Sequence, residues 1–203
     1  MEDILMYKVI LASGSPRRKE ILQQAGVEFV IKTSNKEEVT DSDTPEEMVK
    51  ALALQKAEDV LDEVNEDTII IGADTLVAID NKVLGKPDTK EAAKEMLLAL
   101  QGKRHQVYTG VAVLVKHNNM KENDKKIIFS EVSQVWVQPM EKEEIDAYIA
   151  TGEPFDKAGG YGIQGKFAVH IEKIEGDYLN IVGFPIAKLY TVLKDEGIDI
   201  LRL

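Results

Sequence analysis

The stretch that most restricts the fold is YKVILASGSPRRKEILQQAG, residues 7–26, where an apolar run passes through a small-residue bend directly into a helical pattern. Residues 7–12 read as a buried strand. The spacing that follows puts Ile21, Leu22 and Ala25 on one helix face, with Gly26 placed as a C-cap. Residues 27–33 read as a second strand. Thr44-Pro45-Glu46-Glu47 is a helix start, with a hydroxyl cap, a proline at the first position and acids in the first turn, and this helix runs to about Val64.

The alternation continues. Residues 68–72 and 76–80 are strand-like, and Asp80-Asn81 forms a turn before residues 82–84. Asp88-Thr89 caps a helix with an apolar stripe of Ala92, Ala93, Met96, Leu97 and Leu100, ended by Gly102. Residues 107–116 and 127–138 form a long strand pair, 141–151 a short helix, 152–165 a glycine-rich loop, 167–174 a strand and 185–196 a closing helix. The pattern predicts an α/β chain, a mixed sheet flanked by helices in two lobes around a cleft. With no repeat, low-complexity tract or linker, a single domain over residues 1–203 is expected.

Composition then removes whole classes of chemistry. With no cysteine, disulfides, thiolate metal sites and a cysteine nucleophile are excluded. The net charge of -11 disfavours sequence-blind binding to nucleic acid or anionic membrane, so any polyanionic ligand needs a local cationic pocket. The opening MEDILMYKVILA lacks the pattern of a secretory signal, and a cytoplasmic location is expected. His105, His117 and His170 show no metal-binding spacing, and neither GxSxG nor GxxxxGK[ST] occurs.

Three stretches carry groups suited to a phosphorylated ligand. In SGSPRR, Ser15 is an N-cap and Pro16 opens the helix, so backbone N–H groups and the positive dipole end face the bend; Arg17 and Arg18 add two forks that match phosphate oxygens. A capped surface helix with solvated arginines fits the same letters. In TIIIGADTLVAID, Asp74 places a carboxylate at a strand end, able to hold a hard cation or orient a water; a turn aspartate is the plain alternative. Lys86 in LGKP is a cation on a rigid loop. In EPFDKAGGYGIQG, a formal GxGxxG lacks the strand before it and the helix inside it, and is rejected as a dinucleotide fingerprint. Asp156, Lys157 and Gln164 remain as polar groups on pliable backbone, and Gln164 offers both donor and acceptor to a base edge.

Taken in order, LASGSPRRKEIL, GADTLV, LGKP, VYTGVAV, and DKAGGYGIQG followed by GDYLNIVGFP resemble the Maf family of nucleotide pyrophosphatases, over about residues 9–193. The resemblance implies hydrolysis of nucleoside triphosphates between the α and β phosphorus, yielding monophosphate and pyrophosphate. It also implies a fold similar to inosine triphosphate pyrophosphatases and a divalent cation, magnesium or manganese. By the same resemblance Asp74 is the proton acceptor for the attacking water and a metal ligand. Arg18, Lys56 and Lys86 hold phosphates, and Glu38 lies near the metal, with its neighbour Glu37 as the other match. Arg17, Thr75 and Gln164 match the branch acting on dTTP and UTP, whereas the 7-methyl-GTP branch carries tryptophan, glutamine and glutamate there. Two rivals stay open: a nucleotide-binding regulator of septum formation, and the same fold acting on 7-methyl-GTP or another modified nucleotide. A homodimer is neither required nor excluded.

Overall fold

The computed structural model describes residues 7–34, 36–64, 66–117 and 124–203. In chain order these form β1 (Lys8–Ala12), α1 (Pro16–Gln24), β2 (Val30–Ile31), α2 (Pro45–Leu61), β3 (Thr68–Ile79), β4 (Lys82–Leu84), α3 (Lys90–Leu100) and β5 (Arg104–Lys116). Then follow β6 (Lys125–Val137), α4 (Lys142–Ala150), β7 (Ile171–Glu175), α5 (Tyr178–Val182) and α6 (Ile186–Asp195). The strands make one mixed sheet in the order β2-β1-β3-β5-β6-β7, with β4 paired to β3.

The chain divides into two compact units. The first comprises the described parts of Met1–Asp74, Thr109–Ser130 and Gly183–Leu203, and the second Thr75–Tyr108 and Glu131–Val182. In the first, β1 lies parallel to both β2 and β3, with Lys8 opposite Thr68 and Ala12 opposite Gly72. Helix α2 is capped by Thr44, whose hydroxyl accepts the Glu47 N–H, and buries Val49, Leu52, Ala53, Ala57 and Val60. It packs backbone-to-backbone on two strands. A Cβ on Gly72 would stand 2.1 Å from the Ala53 carbonyl oxygen, and one on Gly110 would stand 2.2 Å from that of Val49. Glycine in GADT and VYTGV is thus the residue that lets the helix settle on the sheet. Ile10, Ala12, Ala53, Ala57, Val60, Ile70, Ala112 and Leu114 form the core beneath.

The second unit is built on the β3–β4 hairpin, whose turn residues Asp80 and Asn81 take φ of 49° and 61°, the left-handed pair that two-residue hairpins require. Leu97 and Leu100 of α3 and Ile145 and Tyr148 of α4 share a core with Val107, Val135, Tyr161 and Phe167. Glu141 and Glu144 form a reciprocal capping box at the start of α4.

Four expectations change. Residues 68–72 and 76–80 are one strand, because Gly72 marks a close helix contact and not a break. The strand expected over 27–33 shrinks to Val30–Ile31, since Val27 instead closes the end of α1 through its N–H to the Leu22 carbonyl. Residues 166–170 form a 3-10 turn before β7; Phe167 is fully buried while Val169 is 73% exposed, so the apolar letters there do not share a sheet face. Helix α5, in DYLNIVG, is a further element that the sequence pattern does not predict.

Candidate functional site

Within the first unit, β1 delivers the SGSPRR bend to the carboxyl end of the parallel ladder, where Asp74 also lies. Asp74 sits inside β3, not at its end, but β1 stops opposite Gly72, so the carboxylate emerges just beyond the last parallel pair. Asp74 is 9% exposed. Its Oδ1 accepts the Lys56 ammonium at 2.6 Å, and the same Nζ stands 3.1 Å from Glu38 Oε1. Of the two acids matched in the NKEEV loop, Glu38 is the one that joins this cluster; the backbone carbonyl of Glu37 accepts the Gln55 side chain.

Arg18 lies below. Its Nε donates to the Gly183 carbonyl at 2.9 Å, and its Nη1 donates to Ser13 Oγ and to the Ala73 carbonyl, both at 2.8 Å. This fork ties the bend after β1, the residue before Asp74 and the approach to α6. Burial lowers the guanidinium from its ordinary value, and the fields of Asp74 and Glu38 oppose that fall. Ser15 is the N-cap of α1 with Pro16 first in the helix, as expected, but its hydroxyl makes no capping bond; Ser13 Oγ instead accepts the Ser15 N–H at 3.3 Å. Arg17 is half-buried. Ser13, and the carbonyls of Ala73 and Gly183, are participants that residue letters did not single out. The first hydroxyl of SGS, Ser13, is the only one of these that the motif itself carries.

Within the second unit, Thr75 follows Asp74 directly in β3, at the point where the chain passes from one unit to the other. Lys86 is exposed on the loop after β4, and that loop is bound to the glycine-rich segment: the Gly85 carbonyl accepts the Gly159 N–H at 2.9 Å. Gly159 and Gly160 take φ of 70° and 72° within 3-10 turns, and no helix opens inside GGYGIQG, in line with rejection of a dinucleotide fingerprint. Lys157 Nζ donates to the Glu153 carbonyl at 2.8 Å and pairs with the Asp156 carboxylate, so these two charges brace the loop locally. Gln164 is exposed.

A magnesium or manganese ion usually takes one or two protein carboxylates and completes its shell with water and phosphate oxygens. Asp74 and Glu38 fit that demand: two hard oxygen donors already converge on one cationic atom, Lys56 Nζ. Among the described residues no group of three acids or histidines forms a closed metal cage.

A family described as Maf-like protein matches residues 8–196. A protein from Lachnoclostridium phytofermentans named dTTP/UTP pyrophosphatase is 49% identical over 97% of this chain and 99% of its own. One of the same name from Bacillus anthracis is 50% identical over 96% and 98%. In fold, a HAM1 protein from Coxiella burnetii superposes with a TM-score of 0.50 at 16% identity, over 94% of this chain and 100% of its own.

Proposed function

The chain belongs to the Maf-like protein family, and from that premise we propose that it is a nucleotide pyrophosphatase that hydrolyses dTTP and UTP to the monophosphate and pyrophosphate. The observation that carries the chemistry is the convergence of Lys56, Asp74 and Glu38 over the buried Arg18 fork. Displacement at phosphorus asks for little covalent work from a protein. It asks for neutralised charge and a directed water.

In this reading Asp74 accepts the proton of the attacking water as its oxygen bonds to phosphorus, and pyrophosphate departs with the electrons of the broken P–O bond. Lys56 is positioned to hold that carboxylate in place before attack and to meet phosphate charge during it. Arg18 fixes the backbone at Ala73, one residue from the base, and with Arg17, Lys86 and the dipole end at Ser15 supplies positive charge for the polyphosphate. A divalent cation, magnesium or manganese, would sit on Asp74 and Glu38 and supply further neutralisation of phosphate oxygens. The reading assigns base recognition to Arg17, Thr75 and Gln164, the last through an amide that pairs with the donor and acceptor edge of uracil or thymine. Asp156 and Lys157 support the loop that carries Gln164. Residues 1–203 are taken as one Maf-like domain, supported by the family match over residues 8–196. No helix among the described residues is long and apolar enough to cross a membrane.

The test is a panel of nucleoside triphosphates with Mg²⁺ or Mn²⁺, products separated by chromatography, for the parent protein and Asp74→Asn. UMP and dTMP should appear with pyrophosphate, little should form from purines, and the Asp74→Asn protein should still bind UTP while turnover falls by roughly 10²-fold or more. Turnover of 7-methyl-GTP in preference to UTP would overturn the substrate reading. Undiminished turnover by Asp74→Asn would remove Asp74 from the mechanism.

A further inference from the structure

The turn that presents Gln164 has an unusual problem. It is Gly162-Ile163-Gln164-Gly165, with the most pliable residue at each shoulder, yet an amide that reads a pyrimidine edge must be held in one plane. Its internal bond, Gly165 N–H to the Gly162 carbonyl at 3.1 Å, does not suffice to fix its direction in space. The restraint comes from elsewhere in the second unit.

Glu153 stands at the start of a 3-10 turn after Gly152. Its Oε1 accepts the Tyr148 hydroxyl at 3.2 Å and its Oε2 accepts the Lys166 N–H at 3.0 Å. Tyr148 is planted in the core by α4, and the backbone of Gly162 acts on its hydroxyl, opposing the upward push of burial and of Glu153. One carboxylate therefore holds the far shoulder of the turn directly and the near shoulder through a phenol. The side chains lie close against the turn: a Cβ on Gly165 would fall 1.9 Å from Glu153 Oε1, and one on Gly162 would fall 2.6 Å from Lys157 Cε. Glycine at the far shoulder, Gly165, admits the Glu153 carboxylate, and the clamp removes the freedom that glycine brings.

We infer that Glu153 is a positioning residue for substrate selection, holding Gln164 in the orientation that distinguishes a pyrimidine from a purine. The inference rests on the proposal that Gln164 reads the base. Glu153 touches neither the phosphates nor Asp74 in this assignment, so its removal should alter which base is accepted more than how the chain is cleaved. A carboxylate suits the task because it offers acceptors on both oxygens, matching two donors. Glutamine would present an NH₂ group to one of them.

The experiment measures kcat/KM for UTP and GTP, and inhibition by pyrophosphate, in the parent, Glu153→Ala, Glu153→Gln, Gln164→Ala and the Glu153→Ala/Gln164→Ala pair. The UTP-to-GTP ratio should fall by about tenfold in Glu153→Ala and less in Glu153→Gln, with pyrophosphate inhibition unchanged. The double variant should be no less selective than Gln164→Ala, because both changes remove one function. Equal losses for UTP and GTP in Glu153→Ala, or additive losses in the pair, would reduce Glu153 to a structural part and overturn the inference alone. Retained pyrimidine preference in Gln164→Ala would overturn the base reading and this inference together. Should Glu153→Ala fail to fold, Tyr148→Phe removes only the hydroxyl link; it should lower the same ratio by roughly threefold, and an unchanged ratio would overturn the inference.

Discussion

Gly72→Ala should damage stability and catalysis through one displacement. The added Cβ would lie 2.1 Å from the Ala53 carbonyl oxygen and 2.9 Å from the Ala57 nitrogen, both helix backbone atoms with no rotamer to adjust. A relaxed carbon–oxygen contact needs about 3.3 Å, so α2 must lift from β3 by roughly 1 Å. Overpacking of this kind costs about 1–3 kcal/mol, which in a chain of this length lowers Tm by about 3–10 °C. Lys56 lies on the same turn of α2 as Ala53 and Ala57, and its 2.6 Å contact with Asp74 would stretch with the helix. A misplacement near 1 Å can cost about 10²-fold in rate, so kcat for UTP should fall by at least about tenfold. The assay is a calorimetric melt beside pyrophosphate release, with Gly85→Ala as control, since a Cβ there meets nothing within 4 Å. A Gly72→Ala protein with unaltered Tm and turnover would refute the close-packing account of the GADT glycine and the coupling of α2 to the base.

Two further outcomes are expected. Arg18→Lys keeps the charge but cannot serve the Gly183, Ser13 and Ala73 acceptors with one planar fork; Tm should fall and kcat drop by about tenfold or more, whereas unchanged kinetics would show that the Ala73 tether does not position Asp74. His105 is buried, with Nε2 2.6 Å from the Tyr161 hydroxyl, and burial brings its pKa down to about 4. Because the unfolded chain takes up this proton near the ordinary value of 6.5, stability should be level above that pH and fall below it. The loss reaches about 3 kcal/mol by pH 4. Melts across pH 4–8 for the parent and His105→Gln should show that slope flattened in the variant, and parallel curves would assign the acid loss to other groups.

The strand-bend-helix entry, the hairpin turn and the capped helices were readable because each depends on residues adjacent in the chain: Thr44 with Glu47, Asp80 with Asn81, Thr89 with Ala92. Gly72 misled for the same reason. A glycine that ends a strand and one that admits a helix from another part of the chain are identical letters, and only the position of Ala53 tells them apart. Of the candidate site, Asp74 and the arginines stand out by local motif, whereas the contact that separates Glu38 from Glu37 is made by Lys56, which lies on a different element.

The same distinction separates Glu153 in EPFDK, whose role depends on Tyr148 and Lys166 elsewhere in the chain, from its neighbours Asp156 and Lys157, which the motif alone suggests as ligand groups. Charged side chains beside a glycine-rich loop invite assignment to a ligand, but here Lys157 is spent on the Glu153 carbonyl and Asp156, and the Glu153 carboxylate on Tyr148 and Lys166. A loop rich in glycine gains close approach and loses rigidity, so the charges around it have first to restore the rigidity. Gln164 is exposed at the tip of the restrained turn. If specificity depends on that restraint, Arg17, Thr75 and Gln164 alone do not determine substrate choice. Placing glutamate at Gln164 should then weaken pyrimidine turnover without conferring efficient 7-methyl-GTP hydrolysis, and a full switch of preference from that one substitution would show that the clamp is indifferent to the base.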